Sequence, residues 1–285
     1  NAIMRKIFPI ICITFIFCLP IYSQQRGASA AKDENTAKAK EEKSNLPHIV
    51  FNPDQTVVTD HTTTIKGQRI SYKATTGTLP VWDEEGNCIA GLFFTYYERS
   101  DIKDRGARPL MISFNGGPGS ASVWMHIAYT GPRLLNIDDE GYPLQPYGLK
   151  DNPYSILDVA DIVFVNPVNT GYSRKVHKDI PGEKFFGVQA DIKYLAGWIN
   201  TFVTRYNRWS SPKYLIGESY GTTRVSGLAL ELQNAQWMYL NGVILVSPTE
   251  LGIERGGPID AALRLPYFAA TAWDHKVLPA DLQNK

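Results

Sequence analysis

Apolar positions are spread unevenly along this chain, and their spacing changes character several times. Ile7 to Leu19 is a continuous apolar run. Gln24 to Asn45 then carries no aromatic residue and is dominated by Ala, Lys, Glu, Asp, Ser and Gln. Such a stretch buries too little apolar surface to order itself, which predicts a solvated polar linker over residues 24–48. At Ile49 the pattern turns to β-branched and aromatic residues between turn residues. Thr62 to Thr75 is rich in Thr, Ile and Tyr with a turn at Lys66-Gly67, and Asn87 to Tyr97 follows the turn Asp83 to Gly86. These predict antiparallel strands at one edge of a sheet. Four short apolar runs come next, Leu110 to Phe114, Asp161 to Val165, Tyr214 to Ile216 and Gly242 to Val246, each closed by Gly, Pro, Asn or Ser. Runs of that length suit strands buried on both faces. Helical patterns over Phe185 to Tyr206 and Thr222 to Gln233 lie between them, and this alternation predicts an α/β fold with a mainly parallel sheet.

Composition narrows the function classes. The chain has 285 residues, 44% of them hydrophobic, enough for a sizeable core. Its 29 basic and 28 acidic residues leave a net charge of +1, so no global field favours nucleic acid or an anionic membrane surface. Cys12 and Cys18 fall in the N-terminal apolar run and leave Cys88 alone in the body, which provides neither a disulfide framework nor a zinc-ligand spacing. Arg5 and Lys6 before the run, with Pro20 and Ser23 after it, have the layout of a secretory signal peptide over residues 1–23. A secreted or periplasmic protein is expected. An uncleaved anchor is the alternative, although the run is shorter than the roughly 20 apolar residues that cross a bilayer.

The segment richest in chemistry is Lys213-Tyr-Leu-Ile-Gly217-Glu218-Ser219-Tyr220-Gly221-Thr222-Thr223, a strand pattern, then Gly-x-Ser-x-Gly, then a helix pattern. A serine on a tight strand-to-helix turn is held in a strained backbone conformation, and side chains two residues to either side would collide with neighbouring backbone. Gly217 and Gly221 meet that need. The turn lifts the Ser219 hydroxyl clear of the sheet, where a histidine can take its proton, and aims the Tyr220 amide at a developing oxyanion. A second donor is expected from a glycine-rich loop after an earlier strand, and Asn115-Gly-Gly117-Pro-Gly119-Ser120 directly follows Leu110 to Phe114. Gly117 can supply that donor. The lysine and hydroxyl of a phosphate-binding loop are absent, as is any dinucleotide glycine spacing.

Asn115-Gly-Gly-Pro-Gly119, Asn166-Pro-Val-Asn-Thr-Gly171-Tyr-Ser173 and Gly217-Glu-Ser-Tyr-Gly221 resemble, in order and spacing, three signature blocks of the serine carboxypeptidase family, peptidase family S10. The likeness runs from about Thr62 to Leu282 and looks closest to a bacterial branch. Asn115 departs from the prolyl iminopeptidases, which carry His before their own Gly-Gly-Pro-Gly. The resemblance implies an α/β-hydrolase fold and hydrolysis of C-terminal peptide bonds through an acyl-enzyme on Ser219. It implies an oxyanion hole from Gly117 and Tyr220, and Asn115 and Glu218 gripping the substrate's terminal carboxylate. Two carboxylates meet in a desolvated cleft only when one is protonated, so activity is expected to be greatest at acidic pH. Peptide or protein C-termini are the expected substrates, no cofactor or metal is implied, and no stable membrane span is expected after signal cleavage.

Ser113 and Ser120 stand where many relatives have Trp and Cys, and Asn166 occupies a position that is often acidic. In this fold the acid and the histidine follow the nucleophile along the chain. After Ser219 the one histidine is His275, beside Asp274 in a helix-like stretch where the two point to different faces. His48, His61, His126 and His177 are expected on loops or the surface. The catalytic Asp and His are therefore expected beyond Lys285. Residues 49–252 are assigned to the N-terminal part of the catalytic domain and 253–285 to the start of a helical cap. An acyltransferase or esterase, and a relative that binds without turnover, remain open alternatives.

Overall fold

The computed structural model describes residues 51–249 and 257–284, so the expected signal peptide and the whole of the expected linker lie outside the described residues. The described part opens with a meander of three long strands, β1 (Gln55–Ile65), β2 (Gln68–Trp82) and β3 (Cys88–Arg99). Lys66 and Gly67 join the first two with positive φ angles of 48° and 78°, as a type I′ hairpin turn requires. β4 (Leu110–Phe114), β7 (Asp161–Val165), β9 (Lys213–Glu218) and β10 (Gly242–Val246) continue the sheet, in the order β1-β2-β3-β7-β4-β9-β10. The meander pairs antiparallel, the last four strands parallel. Between them in sequence come a small ribbon of β5 (Arg133–Leu135) and β6 (Leu149–Asp151), and a two-residue strand β8 (Arg174–Lys175) against β3.

Two long helices cover one face of the sheet. α1 (Val188–Arg205) buries Ile192, Leu195, Ile199 and Phe202, a stripe at helical spacing, against Leu92, Phe94 and Tyr96 of β3. α2 (Tyr220–Gln236) packs beside it through Val225, Leu228 and Leu232. On the opposite face Met111, Ile162, Phe164 and Ile216 gather under Met125, which opens a short π-helical turn, Met125–Thr130. At the amino ends of the parallel strands a buried carboxylate, Asp161, accepts from Arg108 Nε at 2.6 Å and from Arg208 Nη1 at 2.7 Å. Arg208 also donates to the Arg108 carbonyl and to Ser211 Oγ, so it pins the chain before β4 to the chain before β9.

Three sequence expectations are corrected. The helix expected from Phe185 begins at Val188, because Gly187 takes φ +103° and Gly182–Lys184 forms a separate 3-10 turn. The helix expected over 222–233 extends to Tyr220–Gln236. β4 and β7 are buried on both faces as expected, but β10 is not: Val243, Ile244 and Leu245 are 38%, 41% and 48% exposed. β10 pairs with β9 alone among the described residues, so no described strand covers its outer edge. α3 (Pro258–Asp274) and the single turn α4 (Ala280–Gln283) follow, and their described side chains are mostly exposed. No described helix is long and apolar enough to cross a membrane.

Candidate active site

Strand register brings two loops together. β4 pairs with β9 so that Phe114 lies opposite Gly217, and both strands end within a residue of that pair. The loop leaving β4 and the turn leaving β9 therefore emerge side by side at the carboxyl end of the sheet. Between β9 and α2, Ser219 takes φ 56° and ψ −126°, a conformation that side chains rarely adopt and that costs on the order of 1–3 kcal/mol. The surroundings hold it there. The Ser219 N–H donates to the Val246 carbonyl of β10 at 3.0 Å, and the Ser219 carbonyl accepts from the Thr222 N–H and hydroxyl at 2.9 and 2.7 Å. A Cβ on Gly217 would fall 2.1 Å from the Gly221 carbonyl oxygen, and one on Gly221 would fall 2.9 Å from that of Phe114. Strand, turn and helix are in backbone contact, which leaves no room for a side chain at either position.

The glycine-rich loop lies directly on this turn. A Cβ on Gly116 would sit 2.5 Å from the Tyr220 nitrogen and 2.8 Å from Ser219 Cβ. The Gly116 carbonyl accepts from the Ser120 N–H at 3.2 Å. Because the C=O and N–H of one trans peptide point in opposite directions, that bond turns the Gly117 N–H away from Ser120. Among the described residues neither the Gly117 N–H nor the Tyr220 N–H has a hydrogen-bond partner.

Asn115 is 1% exposed, and each of its polar groups has a partner. Its N–H donates to Ser122 Oγ, its side-chain Oδ1 accepts from the Met125 N–H at 3.0 Å, and Nδ2 donates to Glu218 Oε2 at 2.9 Å. The Met125 N–H can only donate, which fixes the orientation of the amide and leaves Nδ2 toward Glu218. Asn115 and Glu218, 103 residues apart in sequence, thus meet beside Ser219. Asn166 is a structural amide at the end of β7. Its Oδ1 accepts from the Ser122 N–H at 3.0 Å, and its Nδ2 packs where a Cβ on Gly171 would be.

His126 lies inward, not on the surface. Its ring stacks on Phe164 at 4.6 Å, and its Nε2 shares a 2.6 Å hydrogen bond with the Tyr97 hydroxyl. Desolvation there lowers its pKa from 6.5 to about 4. His275 is exposed and closes α3, and no hydrogen bond joins a histidine to Ser219 Oγ among the described residues. Ser113 Oγ is buried with no hydrogen-bond partner. Two further residues at this end of the sheet carried no recognisable motif. Arg224 and Asp191 form a buried ion pair of 2.7 Å behind the glycine-rich loop. The available signal was slight: Arg224 stands four residues after Tyr220, on the same side of α2, next to the core position Val225.

A mainly parallel sheet flanked by helices, with a strained serine between a strand and a helix, places the chain among the α/β-hydrolases. Kex1(delta)p, a prohormone-processing carboxypeptidase from Saccharomyces cerevisiae, has the same fold, with a TM-score of 0.53 at 20% identity over 74% of this chain and 44% of that one. The sequence model of the serine carboxypeptidase family, peptidase S10, matches residues 65–251, more than half of the chain, and the chain belongs to that family. Serine carboxypeptidase-like 36 of Arabidopsis thaliana is 31% identical over 57% of this chain and 33% of its own length. Serine carboxypeptidase-like 16 of the same plant is 29% identical over 68% and 44%, and Serine carboxypeptidase S10 family member 1 of Dictyostelium discoideum is 28% identical over 66% and 42%. The chain thus spans less than half the length of these relatives.

Proposed function

We propose that the protein is a serine-type carboxypeptidase that hydrolyses C-terminal peptide bonds through an acyl-enzyme on Ser219. The observation that carries this function is the seating of the glycine-rich loop on the strained turn, with the Gly117 and Tyr220 N–H groups unpartnered among the described residues. In the proposed reaction the Ser219 oxygen attacks the carbonyl carbon of the last peptide bond, and the Gly117 and Tyr220 amides receive the oxyanion. Collapse of that intermediate breaks the C–N bond, and the proton from the hydroxyl passes by way of a general base to the departing amine. Water then attacks the ester and frees Ser219. Asn115 Nδ2 and Glu218 take the terminal carboxylate, with one proton shared between the two carboxyl groups, which sets the activity to be greatest at acidic pH. The general base is assigned outside the described residues, since the described histidines make no bond to Ser219.

The test is labelling of the full-length protein with a fluorophosphonate, run beside hydrolysis of blocked dipeptides at acidic pH. Labelling and hydrolysis are expected in the unaltered protein and absent from Ser219→Ala. Equal labelling of both removes Ser219 from the chemistry. Turnover of esters without peptides assigns the site to an esterase or acyltransferase, and peptide binding without any turnover assigns it to a degenerate binding relative.

A further inference from the structure

Arg224 is 1% exposed and Asp191 6%, so both charges of this pair are removed from water. Bringing two ions into a protein interior costs several kcal/mol per ion, and packed apolar residues of similar volume are often as stable or more so. The pair therefore needs an explanation other than stability, and its hydrogen bonds suggest one. Arg224 Nε donates to Asp191 Oδ2 at 2.7 Å and Nη2 to Oδ1 at 3.4 Å, which sets the plane of the guanidinium. The remaining donors turn to the glycine-rich loop: Nη1 to the Asn115 carbonyl at 2.8 Å and Nη2 to the Pro118 carbonyl at 3.3 Å. The same guanidinium lies 5.1 Å from the centroid of the Tyr220 ring and 5.6 Å from that of Phe114.

These contacts bracket the reacting amides. The Asn115 carbonyl belongs to the peptide just before the Gly116–Gly117 peptide and the Pro118 carbonyl to the second peptide after it, and the Gly116 carbonyl is held by Ser120. Three of the four carbonyls from Asn115 to Pro118 are thus held, and among the described residues the Gly117 N–H is left over. Tyr220, whose own N–H is the second free donor, is held through its ring by the same side chain that holds the loop. A lysine could not reproduce this. It offers one small charge without the planar fork that reaches a carboxylate on one side and two carbonyls on the other.

We propose that Arg224, oriented by Asp191, is a positioning residue that sets the Gly117 and Tyr220 amides against Ser219. The proposal rests on the carboxypeptidase reading for what the two amides do, though not for how they are held. Two variants test it: Arg224→Lys, and the double variant Asp191→Leu/Arg224→Met, which replaces the pair by apolar volume and keeps the test open should the single variant fail to fold. In the full chain, amide hydrogen exchange over residues 114–121 is expected to quicken at least about tenfold in both, while α1 keeps its protection. In the full-length protein, kcat per titrated Ser219 is expected to fall about 10- to 100-fold with KM within a few-fold, as for a misplaced oxyanion donor. A merely structural pair would alter the melting temperature and leave kcat per titrated serine intact. That result, or unchanged exchange over 114–121, overturns the positioning role. Absence of Ser219-dependent turnover in the unaltered protein overturns the carboxypeptidase reading instead, and the exchange comparison still decides how the loop is held.

Discussion

Ser219 spends backbone strain to present its hydroxyl, and the residues that make this possible have very little freedom of their own. Asn115 shows the same economy, with its backbone N–H and both ends of its side-chain amide engaged. His126 is a different case, a half-buried titratable ring packed on Phe164. Its folded pKa of about 4 lies below the value of 6.5 for an exposed histidine. Between those two values the unfolded chain binds a proton that the folded chain does not. Its contribution to stability is therefore complete above about pH 6.5 and is lost as pH falls toward 4, a loss of at most about 3 kcal/mol. Denaturant unfolding of His126→Phe at pH 4.5 and pH 7 is expected to show a smaller difference than the unaltered chain shows. At pH 7 it also costs about 1 kcal/mol, because the Tyr97 hydroxyl loses its partner, whereas at pH 4.5 the protonation penalty it removes offsets that cost. An enzyme working in acid would thus operate where this ring weakens the fold.

At the scale of elements, the strand-to-helix turn was legible because its requirement is steric and local. Gly217 and Gly221 flank the serine wherever backbone must touch backbone, and the distances a Cβ would meet show why. Gly217→Ala is expected to cost more than about 3 kcal/mol or to prevent folding, since the 2.1 Å contact is with carbonyl oxygen of the chain itself. Gly119→Ala, with nothing within 4 Å of its Cβ, is expected to melt with the unaltered protein. Thermal unfolding of the two side by side checks this. β4 and β7 were equally legible, because a short unbroken apolar run has few other solutions. What the chain did not disclose depends on partners distant in sequence. Arg224 reads as one more polar helix residue until Asp191, 33 residues earlier, and Asn115, 109 residues earlier, are folded against it. His126 is expected on a loop or the surface because nothing near it in sequence announces Tyr97 or Phe164. The start of α1 differs from the pattern for a smaller reason, a glycine with positive φ that no hydrophobic spacing reveals.

Over the whole molecule, the sheet has two unlike ends. One is the long twisted meander. The other is β10, with apolar side chains part-exposed and no strand beyond it among the described residues. An unpaired apolar edge is a template for pairing with another copy. This chain is expected to scatter light increasingly with concentration, and Ile244→Lys is expected to suppress that growth while changing stability by less than about 0.5 kcal/mol. Static light scattering and a melting curve measure the two effects separately. The meander has a consequence in time as well as in shape. Its strands pair with their neighbours in sequence, so its turns close at small entropic cost, whereas β4 meets β9 only after about a hundred residues have been drawn into a loop. The Ser219 turn is built on that late pairing. During synthesis or refolding, the meander is expected to form before the Ser219 turn, and for that interval the chain is a folded sheet edge without its strand-to-helix turn.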